Sequence, residues 1–442
     1  MLLPADLREW VPQEDMVHFV IEAVAGMHLA TLKVNRRGSG SAQYPPSMLL
    51  ALLIYCYANG IFSSRRIERA TYRDLAVRYL TGDTHPDHDT IAAFRRENFE
   101  AVAQAFLEVL QLARTMGVLR VGTVSVDGTH LRANASKDRN VRYDRAGELE
   151  QQLRRDIAQL LQQAEQTDRQ DDAAGQSLPQ ELARRETLRQ KLQQAREQLE
   201  RRARQRAEAE RAEYESKVHA REQRQGRQKA KSPQPPKDTP EDNDQINLTD
   251  ADSRLMRKSK RSSYEQAYNA QAVVDADGSQ LILGGQVSTC ASDANELEPA
   301  LADVPAAVGK VTAALADTGY VNTEAWENVA AAGVDLYVAV SRDENHSQRC
   351  YDFRPASATD QPAKVIKNPQ LLAMREKLRT EAGRRLYARR KQTVEPVFGI
   401  IKNVMGFRQF LLRGLEKVQG EWELVRLAYN VKRLFNLKMA GA

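Results

Sequence analysis

Two aspartates occupy matching contexts in the sequence. Asp127 (VSVDGT) and Asp317 (ALADTGY) each close a short run that is typical of a buried strand, and residues that turn the chain follow directly. In open α/β sheets, functional groups collect at the carboxyl ends of the strands, where side chains from distant segments meet. Either aspartate alone is more typical of a turn or a helix cap, whereas the matched pair favours a shared functional edge of a sheet.

A third acid, Glu395, stands among basic residues. On a continuous helix, Tyr387, Lys391, Glu395 and Lys402 would fall within an arc of about 80°. The pattern fits a surface ion pair worth roughly a few tenths of a kcal/mol. It also fits a carboxylate metal ligand flanked by cations that hold a polyanion. Pro396 predicts a kink at Glu395, because proline disfavours helical geometry in the residue before it.

Three carboxylates in one site would suit divalent cations that promote phosphoryl transfer. Mg²⁺ prefers oxygen ligands and keeps several waters, and two such ions about 4 Å apart can hold the attacking and the leaving oxygen. Zinc is disfavoured, because no set of Cys and His has a suitable spacing and His85-x-x-His88 is typical of a polar loop. We therefore expect two Mg²⁺ ions, for which Mn²⁺ can substitute. Their ligands would be Asp127, Asp317 and Glu395.

Composition limits the class of protein. The chain has 442 residues, more than one ordinary core can use, and a formal net charge of +6 from 65 basic and 59 acidic residues. A hydrophobic fraction of 42% excludes a wholly disordered chain. The longest apolar run, 48–58, is too short to span a bilayer. We expect a soluble, cytoplasmic protein without membrane contact, and the three scattered cysteines predict no disulfide framework.

The N-terminal region, residues 1–115, predicts an all-α domain of several short helices, including one over 91–112. Tight joints and basic residues suit a helix-turn-helix-like unit that binds DNA. A helical dimerisation module fits the same pattern equally well. The residues that we expect on the exposed basic surface are Arg65, Arg66, Arg73, Arg95 and Arg96.

Residues 137–262 differ from the rest of the chain. Leucines recur there at helical spacing in a highly charged background, which predicts a two-helix, coiled-coil-like arm. The tract 231–252 is rich in proline and charge and is expected to be a flexible linker. The arm could pair protomers or grip DNA, and it could equally be a solvated hairpin without a specific partner.

Strand and helix patterns alternate in the remaining segments, 116–136 and 263–438. The Asp277-Gly278 pair between two strand-like runs is typical of a hairpin. The order of these patterns predicts a mixed α/β layout in which the arm is an insertion.

Several motifs, in this order, resemble the DDE transposases of bacterial insertion sequences. These motifs are YPPSMLLALLIYCYANGIFSSRRIE with PDHDTIAAFR, VDGTHLRANAS, YNAQAVVD, ADTGY and TVEPVFGIIK. In particular the chain resembles the IS1182-like group of the wider IS4/IS5 type. The resemblance implies an RNase H-like catalytic core, with a mixed five-stranded sheet and flanking helices. It also implies metal-dependent cutting and joining at terminal inverted repeats, with Asp127, Asp317 and Glu395 as the catalytic triad.

The wider type has a signature around its last acid: tyrosine, two residues, arginine, three residues, glutamate, six residues, lysine. Glu395 and Lys402 keep the final spacing, Lys391 stands at the arginine position, and Tyr387 lies one residue too far upstream. The residues expected to bind DNA near the scissile phosphate are Tyr387, Arg389, Arg390, Lys391 and Lys402.

The leading hypothesis is a transposase that acts on double-stranded DNA as a homodimer or higher oligomer. One alternative is a structure-directed nuclease on the same core. The other is a DNA-binding coiled-coil protein that derives from a transposase and has no catalytic activity.

Overall fold

The computed structural model describes residues 6, 9–28, 31–33, 43–168, 178–222, 234–257, 262–340 and 366–441. The chain forms two compact units. The first consists of Met1–Ala133, Met256–Ser262 and Ala267–Ala442, and the second of Asn134–Leu255 and Ser263–Gln266. The helical N-terminal region and most of the sheet therefore belong to one unit, and the predicted arm forms most of the other.

The described residues of the N-terminal region form six helices. Asp15, Asp74 and Asp87 begin three of them, each accepting a backbone N–H with its side chain. The second helix starts with Pro46 in its first turn, where proline is tolerated, and buries every residue from Leu49 to Ala58. The helices are α1 (Met16–Ala25), α2 (Pro46–Ala58), α3 (Ser64–Arg73), α4 (Leu75–Leu80), α5 (His88–Glu97) and α6 (Phe99–Thr115).

Two predictions for this region were wrong. The helix expected over 91–112 is two helices, because α5 ends at the buried Asn98, whose side chain donates to the Phe94 carbonyl. Arg95 is buried rather than exposed. Its guanidinium donates to the Tyr57 hydroxyl at 2.7 Å and to the Phe62 carbonyl at 3.1 Å.

In the described part of the chain, seven strands form one mixed sheet. A path of five strands runs in the order β4-β5-β1-β8-β9, and β6 and β7 pair with β5. Strand β1 is antiparallel to β5 and parallel to β8, and β8 is parallel to β9. The bounds are β1 (Thr123–Arg132), β4 (Arg254–Met256), β5 (Glu265–Asp275), β6 (Ile282–Gly284), β7 (Val287–Ser288), β8 (Ala313–Ala316) and β9 (Asp335–Val338). The predicted mixed α/β fold with an RNase H-like core is confirmed.

The helices that follow β7 pack around this sheet. The last of them, α14, bonds to the sheet through Asn430, which pairs with both backbone groups of Ile282, and through Trp422, which donates to the Gln271 carbonyl. These helices are α9 (Leu297–Ala302), α10 (Thr323–Ala331), α11 (Pro369–Arg379), α12 (Glu381–Tyr387), α13 (Arg389–Gly399), a π-helical turn (Ile400–Val404) and α14 (Leu415–Gly441). Helix α14 also contacts α2 and α6, so it joins the N-terminal helices to the sheet.

The second unit contains the expected helical arm, made of α7 (Tyr143–Asp168) and the long α8 (Leu178–Glu222). In the same unit, β2 (Asn140–Arg142) and β3 (Gln245–Asn247) form an antiparallel two-stranded ladder. The tract 231–252 is not a linker throughout: its described part contains β3, because Ile246 is buried in the core cluster of this unit. Residues 231–233 lie outside the described residues.

None of the described helices is long and apolar enough to cross a membrane.

Candidate active site

The first two acids lie side by side on neighbouring strands. The parallel ladder between β1 and β8 pairs Ser125 with Leu315, so Asp127 and Asp317, two residues further along each strand, hold equivalent positions. Neighbouring strands are about 4.8 Å apart. The predicted convergence of these two aspartates at one edge is therefore built into the strand register.

Asp127 does not close its strand, contrary to the sequence expectation. Strand β1 continues to Arg132, because the long antiparallel partner β5 keeps pairing through Arg132 and Ala267. The parallel pairing with β8 does end before Asp127, which leaves the side of β1 next to Asp317 open. Asp317 follows the last residue of β8 and caps a 3₁₀ turn by accepting the N–H of Gly319 at 2.7 Å.

Arg390 links the first acid to the third. Its Nη1 lies 3.3 Å from Asp127 Oδ2, and its Nη2 lies 3.6 Å from Glu395 Oε1. Arg390 is buried, whereas about half of the Glu395 side chain is exposed. One guanidinium therefore bridges the carboxylates of Asp127 and Glu395.

Lys391 and Glu395 lie four residues apart in α13, so the joint before that helix affects only the place of Tyr387 in the expected arc. Helices α12 and α13 are separate at Ala388, so a count of 100° per residue from Tyr387 does not hold across the break. Arg390 contacts Asp127 and Glu395, and it follows Tyr387 at the tyrosine-to-arginine spacing of the signature. The departure from the signature is therefore one extra residue between Arg390 and Glu395.

Pro396 does not end α13, which continues to Gly399. Proline lacks an N–H, so the carbonyl of Gln392, four residues earlier, loses its helical partner. The side chain of Gln280, from the β5–β6 hairpin, donates to that carbonyl at 2.8 Å. This bond fixes the turn of α13 that precedes Glu395.

The other predicted DNA-binding residues lie in different surroundings. The ammonium of Lys402 donates to Thr129 Oγ1 at 2.5 Å and to the His130 carbonyl at 3.1 Å, just beyond Asp127 on β1. Tyr387 donates to the carbonyl of Ala316, the residue before Asp317, at 3.2 Å. Arg389 instead pairs with Asp277 in the hairpin at 2.7 Å. Lys402 and Tyr387 therefore contact the aspartate-bearing strands, and Arg389 does not.

Sequence reasoning missed a fourth acid, Asp293. Its Oδ1 accepts hydrogen bonds from Asn269 Nδ2 and Gln271 Nε2, both at 2.7 Å. A Cβ atom on Gly128 would lie 2.4 Å from Asp293 Oδ1, and a Cβ on Gly319 would lie 3.3 Å from its Oδ2. Asp293 thus packs against the glycines that follow Asp127 and Asp317, where no larger residue fits without a shift.

A signal for this network was present in YNAQAVV. Asn269 and Gln271 are polar residues two apart on an otherwise apolar strand, so both point to the same face of the sheet. Buried polar side chains need partners, and their presence in a core strand indicates a functional network. Gln271 also accepts a hydrogen bond from the Tyr320 hydroxyl through its Oε1.

The site carries unbalanced negative charge. Burial raises the pKa of Asp127 to about 7; Arg390 lowers this pKa, and the neighbouring Asp317 and Asp293 raise it further. Burial also raises the pKa of Tyr320, and Asp293, Asp127 and Asp317 add to that effect. Ionising these buried carboxylates costs free energy in the free protein. A divalent cation that binds them would offset this cost, because it neutralises their charge.

Within the described ranges, no group of three or more His, Cys, Asp or Glu side chains is arranged to hold a metal ion as it stands. The position of Arg390 gives a physical reason, because its guanidinium lies between the carboxylates of Asp127 and Glu395. The donor set itself consists of carboxylate oxygens, which suits Mg²⁺ and Mn²⁺ rather than zinc.

Comparison with known families matches two segments of the chain. Residues 5–97, which include α1 to α5, match the model described as transposase domain (DUF772). Residues 346–435, which include Arg390, Glu395 and Lys402, match the model described as transposase DDE domain. No curated protein and no solved structure matches the chain. Over these two segments the protein is similar to transposases, and its DDE domain implies an enzyme family that transfers phosphoryl groups.

Proposed function

We propose that the protein is a DNA transposase that binds the terminal inverted repeats of an insertion sequence and catalyses metal-dependent strand cleavage and strand transfer. The strand register that sets Asp127 beside Asp317, with Arg390 joining Asp127 to Glu395, is the observation that carries the proposal. The two transposase-like segments support the same reaction class. The assignment to the IS1182-like group remains a prediction.

Asp127, Asp317 and Glu395 would hold two Mg²⁺ ions, for which Mn²⁺ can substitute. When bound, these ions would activate the attacking oxygen, first of water and then of the freed 3′-hydroxyl, and stabilise the leaving oxygen. The chain contributes the position of the three carboxylates and a partly dry environment, in which the ionised form of Asp127 is strongly attracted to added cations.

In this proposal Arg390 pairs with the acids in the free protein and with a phosphate in the DNA complex. In the free protein it neutralises Asp127 and Glu395. When cations take over those carboxylates, the guanidinium is released from them, and a phosphate of the bound strand is its natural acceptor, since guanidinium binds phosphate through paired N–H groups. The other residues proposed to contact phosphates there are Tyr387 by its hydroxyl, Arg389, Lys391 and Lys402.

The proposed partner is double-stranded DNA, both the element's ends and its target, bound by a homodimer or higher oligomer. The second unit has two possible uses, which are pairing protomers and gripping flanking DNA, and a solvated hairpin without a partner stays the alternative for it.

Cleavage of a duplex that carries the element's end tests the proposal. Asp127→Asn should abolish Mg²⁺-dependent cleavage and leave binding to the end intact. Asp277→Asn is the matched control, because Asp277 is a nearby acid that pairs with Arg389 outside the triad and should retain cleavage. Cleavage by the Asp127→Asn protein at the wild-type rate would remove Asp127 from the site.

A second assay separates the proposed function from its alternatives. Wild-type protein is supplied with pre-cut ends, target DNA and Mg²⁺. Joined products identify a transposase. Cutting without joining identifies a nuclease on the same core, and binding without either reaction identifies a non-catalytic DNA-binding protein.

A further inference from the structure

Helix α3 (Ser64–Arg73) has one apolar side and one strongly basic side. Ile67, Ala70 and Thr71 are buried and hold the helix against α4 and α5. The opposite side is exposed and is called the α3 face below. It consists of Arg65, Arg66, Arg69, Tyr72 and Arg73.

The positive charge of the α3 face is not neutralised. Within the described residues, none of its four arginines makes a hydrogen bond or an ion pair. The acid of the helix, Glu68, is engaged elsewhere, with His88 Nδ1 at 2.8 Å. Like charges at i and i+4, such as Arg65 with Arg69 and Arg69 with Arg73, destabilise a helix. A face that costs stability in this way is expected to have a polyanionic partner.

An ordered aromatic side chain lies within the same face. Tyr72 is 55% exposed, yet its ring stacks on His85 with the centroids 3.8 Å apart and the planes 18° from parallel. His85 is held in turn by Thr71, at 3.1 Å between its Nδ1 and the threonine Oγ1. The exposed phenol is therefore fixed before any partner binds, which lowers the entropic cost of using it in an interface.

The shape of the face fits duplex DNA. A helix of ten residues is about 15 Å long, and the major groove, about 12 Å wide, admits one helix. At 100° per residue, Arg65, Arg69 and Tyr72 lie within about 60° of one another, opposite the buried residues. Arg66 and Arg73 lie together on one flank of that line.

We propose that α3 is the helix that enters the major groove of the element's end. Arg65 and Arg69 contact base edges, Tyr72 lies beside them against the bases, and Arg66 and Arg73 bind phosphates on one wall of the groove. This inference rests on the proposed function, because the DNA in question is the terminal repeat. It assigns recognition to α3 and excludes Arg95, which is buried.

Fluorescence anisotropy of the full-length protein in EDTA, where no cleavage occurs, tests the assignment. The probes are a 40-base-pair duplex from the DNA that flanks the coding sequence and a shuffled duplex of the same composition. Arg69→Ala should weaken binding to the flanking duplex about 10- to 100-fold, the range for loss of one bidentate base contact, and should change binding to the shuffled duplex much less. Arg66→Ala should weaken both alike and lower the slope of log K against log salt by about one.

Arg379→Ala serves as the matched control, since Arg379 is an exposed arginine on α11 that pairs with Glu376 at 3.3 Å. It should bind both duplexes as the wild type does, and the melting temperatures of all three variants should agree with that of the wild type. If wild-type protein prefers the flanking duplex and Arg69→Ala keeps both its affinity and its preference, the α3 assignment is wrong while the proposed function stands. If the wild type shows neither preference for that duplex nor cleavage of it with Mg²⁺, the proposed function itself fails.

Discussion

Replacing Asp127 by Asn should stabilise the metal-free protein above neutral pH, although it removes a carboxylate from the candidate active site. Burial raises the pKa of Asp127 to about 7 in the folded protein, against an ordinary value of 3.8. Folding therefore works against ionisation of this group. At 1.36 kcal/mol per pKa unit, the difference is about 4 kcal/mol once the pH is well above 7. This value already includes the attraction of Arg390, which lowers the pKa of Asp127.

The sign of the pH dependence follows from the raised pKa. Between about pH 4 and pH 7 the folded state keeps a proton that the unfolded state has lost, so the stability contributed by Asp127 is present at low pH and is lost as the pH rises through 7. The Asn variant has no such proton. Its advantage over the wild type should be absent near pH 4 and largest at pH 8.

Urea unfolding in EDTA at pH 5 and at pH 8 measures this effect through tryptophan fluorescence, since Trp10, Trp326 and Trp422 all belong to the first unit. Asp89→Asn is the control, because its carboxylate is 90% exposed. Mg²⁺ should then stabilise the wild type and leave the Asn variant unchanged, since bound cations favour the folded state. If Asp127→Asn is equally destabilising at both pH values, the reasoning from buried charge is refuted.

Three further substitutions have expected outcomes. Arg390→Met should raise the Mg²⁺ affinity of the DNA-free protein several-fold, because no guanidinium competes for Asp127; calorimetric titration that finds weaker affinity would count against this. Asp293→Ala leaves two amide side chains without their acceptor, which costs about 1–3 kcal/mol for each. Single-turnover cleavage should therefore slow by tenfold or more, while binding to the DNA end is kept. An unchanged cleavage rate would show that Asp293 has no influence on the triad. Glu421 is a buried carboxylate that accepts a hydrogen bond from the Tyr57 hydroxyl at 3.3 Å, and this hydroxyl also accepts from the buried Arg95. Glu421→Ala leaves Arg95 without this nearby negative charge and should cost on the order of 3–5 kcal/mol in urea unfolding; a loss below about 1 kcal/mol would contradict the importance of these contacts.

The placement of the two aspartates could be predicted from the sequence because it depends on local patterns. A strand-like run followed by an acid and a glycine occurs twice, and parallel strands bring such ends together. The register of β1 and β8 satisfies that expectation for Asp127 and Asp317. The mistake over where β1 ends came from its other neighbour, since the length of β5 cannot be read from the residues around Asp127.

The contact between Arg390 and Asp127 could not be predicted from the sequence, because it joins residues that are 263 positions apart. Lys391 and Glu395 both lie in α13 and keep their spacing of four residues, and Arg390 is the residue whose guanidinium lies against Asp127. Ala388 separates α12 from α13 without a proline or glycine to mark the joint. Such a joint is decided by tertiary packing, which overrides local propensity.

Arg95 and Asp293 also could not be placed from the sequence: Arg95 was expected at the surface and is buried, and Asp293 was not expected at the site and contacts it. Arg95 belongs to a basic stretch that is typical of a surface, but the hydroxyl of Tyr57 and the carbonyl of Phe62 make its burial possible. Asp293 lies in a loop, accepts hydrogen bonds from side chains of β5 and packs against Gly128 and Gly319. Neither contact is local in sequence, so neither leaves a pattern in a single segment.

The central claim is that Asp127, Asp317 and Glu395 jointly bind the divalent cations of a DNA-cleaving site. The most direct test is anomalous scattering from Mn²⁺ in crystals of the protein bound to a pre-cut duplex end. The expected result is manganese about 2 Å from carboxylate oxygens of all three residues, with the Arg390 guanidinium moved away from Asp127. Manganese bound elsewhere, with the three carboxylates facing different parts of the protein, would contradict the claim.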